Sequence, residues 1–119
     1  MPDLMRLVGL KLRGGFRIAD IQLSDEALTD AIGRDAVAQT TISGRDLQLV
    51  IRSGLDAKEL SVTLYHEVLE AVTVAVDKCP SQVAEFNEGD FERTAQEAHA
   101  RLGPATGATL NRMLADLGF

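Results

Sequence analysis

The chain has 119 residues, 45 % of them apolar and 25 % charged, and a formal net charge of −6. Such a chain folds as one soluble domain large enough to bury a core without covalent staples. Its acidity, its basic residues scattered from Arg6 to Arg112 and its few aromatics (four Phe, one Tyr, no Trp) argue against nucleic-acid binding, which needs a basic surface or a stacking platform.

The opening Met1-Pro2-Asp3 lacks the basic start and apolar core of a secretion signal. Downstream, no window approaches the roughly 18 uninterrupted apolar residues of a membrane span. A reduced, cytoplasmic setting is the resulting expectation. From Met5 to Arg13 the pattern alternates, with Leu4, Arg6, Val8, Leu10 and Leu12 on one side. Gly14-Gly15 supplies a turn, and Phe16, Ile18, Ile21 and Leu23 resume extended character, which predicts a first hairpin. Ser24 is a good N-cap, with Asp25 and Glu26 in the favourable first turn. Ala27, Leu28, Ala31 and Ile32 then predict a short helix that Gly33 ends.

Ala36 to Ile42 and Asp46 to Arg52 read as a second hairpin around Ser43-Gly44-Arg45. In its second strand Leu47, Leu49 and Ile51 point one way, and Gln48, Val50 and Arg52 the other. After the Ser53-Gly54 break, Asp56 is an N-cap and Glu59 completes a capping-box spacing. The long helix that follows runs until Cys79-Pro80, because proline disfavours helix in the residue before it. Cys79 is the only cysteine, so the chain holds neither an internal disulfide nor a Cys-based zinc knuckle.

Beyond it, Asn87 or Asp90 caps a second helix with Phe91, Ala95, Ala98 and Leu102 on one stripe, ended by Gly103-Pro104. Thr106 caps a last helix with Leu110, Met113, Leu114 and Leu117 inward, closed by Gly118. Strands dominate the first half and helices the second, an α+β organisation with a small, mostly antiparallel sheet and a long central helix.

The chemistry sits on that central helix. If each residue advances by about 100°, Glu59, Thr63, His66, Glu70, Thr73 and Asp77 fall in a stripe about 80° wide. The rest of the run is almost entirely Leu, Val and Ala, so an imidazole and a carboxylate one turn apart share its polar seam. A solvated stripe has the same pattern. Metal chemistry adds a requirement for three converging ligands and a nearby base. His66 and Glu70 supply two ligands, and Glu67 reaches the edge of the same seam as a base. The following helix offers Glu88, Glu92 and His99 along one edge of its apolar stripe, and an antiparallel return would bring one of them opposite.

The stretch Thr63-Leu64-Tyr65-His66-Glu67-Val68-Leu69-Glu70-Ala71 resembles the active-site helix of the zincin metallopeptidases, in their minimal gluzincin-like form. The likeness covers roughly residues 36 to 102. It implies that Leu47–Ile51 is the edge strand preceding that helix, His66 the first zinc ligand and Glu67 the general base. Glu70 stands where the family has its second histidine, and that departure weakens both zinc selectivity and activation of the water. Glu92, in Phe91-Glu92-Arg93, resembles the third ligand, and Asn87-Glu88 resembles the family's Asn-Glu pair, so Glu88 competes with it. The implied activity is zinc-dependent hydrolysis of a peptide or protein. The alternative is a protein-binding module on the same scaffold that has lost its metal, with an acid-rich face or the segment Leu114–Phe119 as contact surface.

Overall fold

A computed structural model describes residues 3–29 and 35–119. Three strands form a sheet in the order β1-β5-β4, comprising β1 (Arg17–Ser24), β4 (Ala38–Ser43) and β5 (Asp46–Arg52). The short strands β2 (Leu28–Thr29) and β3 (Asp35–Ala36) pair with each other. Helices α1 (Leu4–Leu7), α2 (Ala57–Ala75), α3 (Glu88–Leu102) and α4 (Gly107–Asp116) complete the α+β fold. No helix among the described residues is long and apolar enough to cross a membrane.

The second hairpin forms as the alternation requires. Gly44 occupies positive φ (62°) and Arg45 does not, the arrangement of a two-residue turn that needs glycine first. Leu47, Leu49 and Ile51 of β5 are all buried on the face covered by α2, while Gln48 and Arg52 face the other way. Asp56 caps α2 by accepting the Glu59 N–H at 2.8 Å. Helix α2 is apolar nearly all round, and Leu60, Leu64, Tyr65, Val68, Leu69 and Val72 are buried between sheet, α3 and α4. Asn87 and Asp90 both serve the start of α3, as a reciprocal capping box. Thr106 and Thr109 do the same for α4.

Four expectations are corrected. The sheet is mixed, because β1 runs parallel to β5 and only β4 is antiparallel to it. Leu47–Ile51 is therefore the central strand, and β4 is the edge. The predicted first strand begins instead as α1: Asp3 accepts the Met5 N–H and starts a helical turn. Only residues 9–12 turn back against 16–18, through Gly9 N–H to Ile18 O and Leu12 N–H to Phe16 O. The helix predicted after Ser24 is replaced by an extended path into β2. There the Ser24 hydroxyl accepts the Glu26 N–H, and the Asp25 carboxylate accepts the Ser53 hydroxyl at the end of β5. These tertiary bonds hold the segment beside the sheet; Ala31, Ile32 and Gly33 lie outside the described residues.

Helix α3 returns antiparallel to α2: Glu70 faces Glu88, His66 faces Glu92 and Ser61 faces His99. Phe91 stacks edge-on to Phe86 and lies beneath the His66 ring, so the helix pair closes over an aromatic floor. The core depends on α2. Leu69→Ala, at a fully buried site, is expected to lower unfolding free energy by about 2–5 kcal/mol. Val74→Ala, at a position 70 % exposed on the same helix, should stay within about 0.5 kcal/mol. Urea titration of both variants checks the pair.

Candidate metal centre

Five side chains of the polar seam come together where the C-terminal half of α2 meets the first turns of α3. His66 Nε2 lies 3.0 Å from Glu70 Oε2 and 3.3 Å from Glu88 Oε2. On the other side of the ring, Nδ1 lies 3.7 Å from Glu92 Oε2. One donor atom from each of His66, Glu67 and Glu70 falls within 4.8 Å of the others. Glu67 Oε1 accepts the Thr40 hydroxyl at 3.0 Å, which anchors it to strand β4. The cluster opens into a cleft of about 780 Å³ between α2, α3, β3 and β4.

Local physics explains each placement. His66 and Glu70 are one turn apart on α2, and Glu88 and Glu92 one turn apart at the start of α3, where the helix dipole favours carboxylates. The imidazole is 17 % exposed, against 33 % for Glu70 and 64 % for Glu88. A ring so enclosed has to be paired, and its partners here are acidic.

The titration behaviour follows from that enclosure. Burial works to lower the His66 pKa. The Glu70 hydrogen bond and the charges of Glu67, Glu70 and Glu92 outweigh it and raise the pKa to about 9. Burial pushes the Glu67 carboxyl above the ordinary carboxylate range, reinforced by Glu70 and Glu88 and opposed by the Thr40 hydroxyl and His66. The hydrogen bond with His66 holds Glu70 low against the effect of burial. Glu88 is raised by burial first and then by its contact with Glu70.

His66, Glu67 and Glu70 each bring one donor atom within reach of a shared position for a cation. In tetrahedral coordination by nitrogen and oxygen at about 2.0–2.2 Å, neighbouring donor atoms sit about 3.3 Å apart. The two carboxylate oxygens facing Nε2 are close to that spacing. Four carboxylates surround a single imidazole, an excess of negative charge that a dication would offset.

Glu88, the competitor to the expected third ligand Glu92, shares the Nε2 side of the ring with Glu70. Glu92 itself lies 3.7 Å from Nδ1, beyond hydrogen-bond distance. His99 stands apart from the cluster: its Nδ1 bonds the buried Ser61 hydroxyl at 2.8 Å, and that hydroxyl also accepts the Ala105 N–H. This network ties α2 to α3 and to the loop before α4. Thr73 turns its hydroxyl to the Leu69 carbonyl and leaves the seam. Thr40 was not singled out from the sequence. Its period-two relation to Ala38 and Ile42 put it on the helix-facing side of β4, but only the packing shows that Glu67 is opposite.

In the metal-free protein His66 contributes stability through its raised pKa. That contribution is fully present below the unfolded value of 6.5, and is lost as pH rises through about 9. Between pH 6 and 9.5 the loss should be about 3 kcal/mol in urea titrations and should vanish in His66→Gln. Equal slopes for the two chains would show that the imidazolium is not held by its neighbours. Comparison with protein-family models, with curated proteins and with solved structures finds no match to this chain.

Proposed function

We propose that the domain is a minimal zinc-dependent peptidase of the zincin type, in which His66, Glu70 and Glu88 hold the ion and Glu67 is the general base. One observation carries the reading: carboxylates from two helices converge on a single nitrogen of His66, with a further carboxylate of raised pKa beside them. When bound, the ion supplies a Lewis acid that acidifies water and polarises a carbonyl. A set with one imidazole and two carboxylates is hard, and manganese competes with zinc for it.

Glu67 matches the demands on a general base. A raised pKa makes the carboxylate a stronger base, and Thr40 fixes its orientation. It takes a proton from the attacking water as the water oxygen joins the carbonyl carbon. The proton then passes to the departing amine as the C–N bond breaks. The Glu92 charge, 3.7 Å from Nδ1, favours a proton on that nitrogen and leaves Nε2 for the ion.

Strand β4 supports a peptide as the substrate. Arg52 N–H bonds Val37 O, so the register makes residues 37, 39, 41 and 43 the positions bonded to β5. The backbone groups of Ala38, Thr40 and Ile42 therefore point away from β5, and among the described residues nothing bonds them. An extended chain pairing there would lie along the cleft and present its carbonyls to the cluster. The rival reading, a metal-free binding module, draws less support. In the segment offered as its contact surface, Leu114 is buried, the Phe119 carbonyl accepts from Arg13 Nε and Gly118 packs on Pro80.

Mass spectrometry of the purified protein should find about one divalent ion per chain, and none in His66→Ala. Removal of a direct ligand in Glu88→Gln should weaken uptake more than Glu92→Gln, whose loss should be about tenfold. A chain that takes up no added zinc or manganese ends the enzyme reading. Separately, Glu67→Gln should keep its metal while peptide hydrolysis falls by about 10²–10⁴-fold. Loss of the ion in that variant would instead make Glu67 a ligand.

A further inference from the structure

A second, smaller cavity of about 220 Å³ continues from the cleft along the groove between β4 and α2. Thr40, Glu67 and Glu70 belong to both cavities, and Ile42, Ala71 and Val74 line only the smaller one. Its geometry follows from two periodicities. Ile42 lies two residues beyond Thr40 on the same face of β4, and Val74 lies one turn beyond Glu70 on α2. The pocket is thus apolar along its length and carboxylate-lined at the end that meets the cluster.

We infer that this pocket receives a lysine or arginine side chain of an extended peptide bound along β4, at the residue next to the carbonyl presented to His66 and Glu67. The inference rests on the peptidase reading for its substrate, and on the pocket itself for its selectivity. A strand added to β4 directs alternate side chains toward α2, where the small cavity opens. A long cationic side chain lays its methylenes on Ile42, Ala71 and Val74 and brings its charged tip to the carboxylate end. Glu70, which meets both His66 and Glu88, and Glu67 make up that carboxylate end.

Charge excludes the alternatives. The two cavities are lined by Asp35, Glu67, Glu70, Glu88 and Glu92, with no lysine or arginine among the described lining residues. A bound dication with a neutral imidazole still leaves the described lining residues net negative. An acidic side chain is repelled there, and a purely aliphatic one desolvates carboxylates without pairing them.

The test is fluorescence anisotropy with labelled peptides whose central amide is a hydroxyethylene link, so that nothing is cleaved. The peptides differ only in the adjacent residue, which is lysine, norleucine or glutamate. The wild-type chain should bind the lysine peptide about tenfold more tightly than the norleucine peptide, and the glutamate peptide more weakly still. Val74 is 70 % exposed, so Val74→Lys should fold normally while placing a competing ammonium in the pocket. In that variant the preference should shrink to roughly twofold or less. Equal binding of lysine and norleucine peptides, a preference that survives Val74→Lys, or no binding by any peptide would overturn the inference. Metal content and cleavage of ordinary peptides, measured on the same preparation, report separately on the peptidase reading. A chain without metal that still prefers lysine refutes the enzyme and keeps the pocket. A metal-loaded, cleaving chain without the preference refutes the pocket alone.

Discussion

The burial of α2 is the constraint on which the rest of this structure depends. Apolar side chains cover that helix so completely that Leu64, Tyr65, Val68, Leu69 and Val72 have no exposure at all. Sheet, α3 and α4 have to close around it to remove that surface from water. What remains is a narrow strip holding His66, Glu67 and Glu70, half-buried because the helix bearing them is buried. Polar groups at such a place either pair or destabilise the fold. Their pairing with one another and with the start of α3 concentrates charge at one point.

That concentration costs stability where it stands. Like charges held at short range in a poorly solvated setting repel, and only one imidazole offsets four carboxylates. The raised pKa of Glu67 and Glu88 and the raised pKa of His66 are the same tension seen from opposite sides. A fold selected for stability alone would place leucine or alanine in this strip, as it does elsewhere on the helix. Clusters of titratable groups pushed apart in pKa mark working sites more often than structural ones. Here the cluster also opens into a cleft beside β4, whose outer edge is unpaired among the described residues, two features that solvated surface stripes do not require.

Sheet topology sets the cluster beside the edge of the sheet. Because β1 pairs with β5 in parallel, β5 is central and β4 becomes the edge. The edge strand then lies beside the polar strip of α2, and Thr40 joins the two through Glu67. Had β1 paired with β4 instead, the backbone groups of residues 38, 40 and 42 would be consumed within the sheet. The cluster on α2 would then lie beside an interior strand and not an edge.

Several features were legible from residues alone because local physics decides them. The caps at Asp56, Asn87 and Thr106 and the turn at Gly44 depend on neighbours within a few positions. So does the shared face of His66 and Glu70, which follows from helical period once the helix is granted. Tertiary structure decided what period cannot carry. Leu28 leaves a helical pattern to pair with Ala36; the helical turn at Leu4–Leu7, by contrast, follows from the local cap at Asp3, which the alternation hid. The parallel seating of β1 depends on contacts across thirty or so residues of sequence, for which alternation gives no direction. Glu88, Glu92 and His99 share one edge of α3, and only the offset of the antiparallel pair assigns them to Nε2, to Nδ1 and to Ser61. A period specifies which way a side chain points; the depth at which two helices dock specifies what it meets.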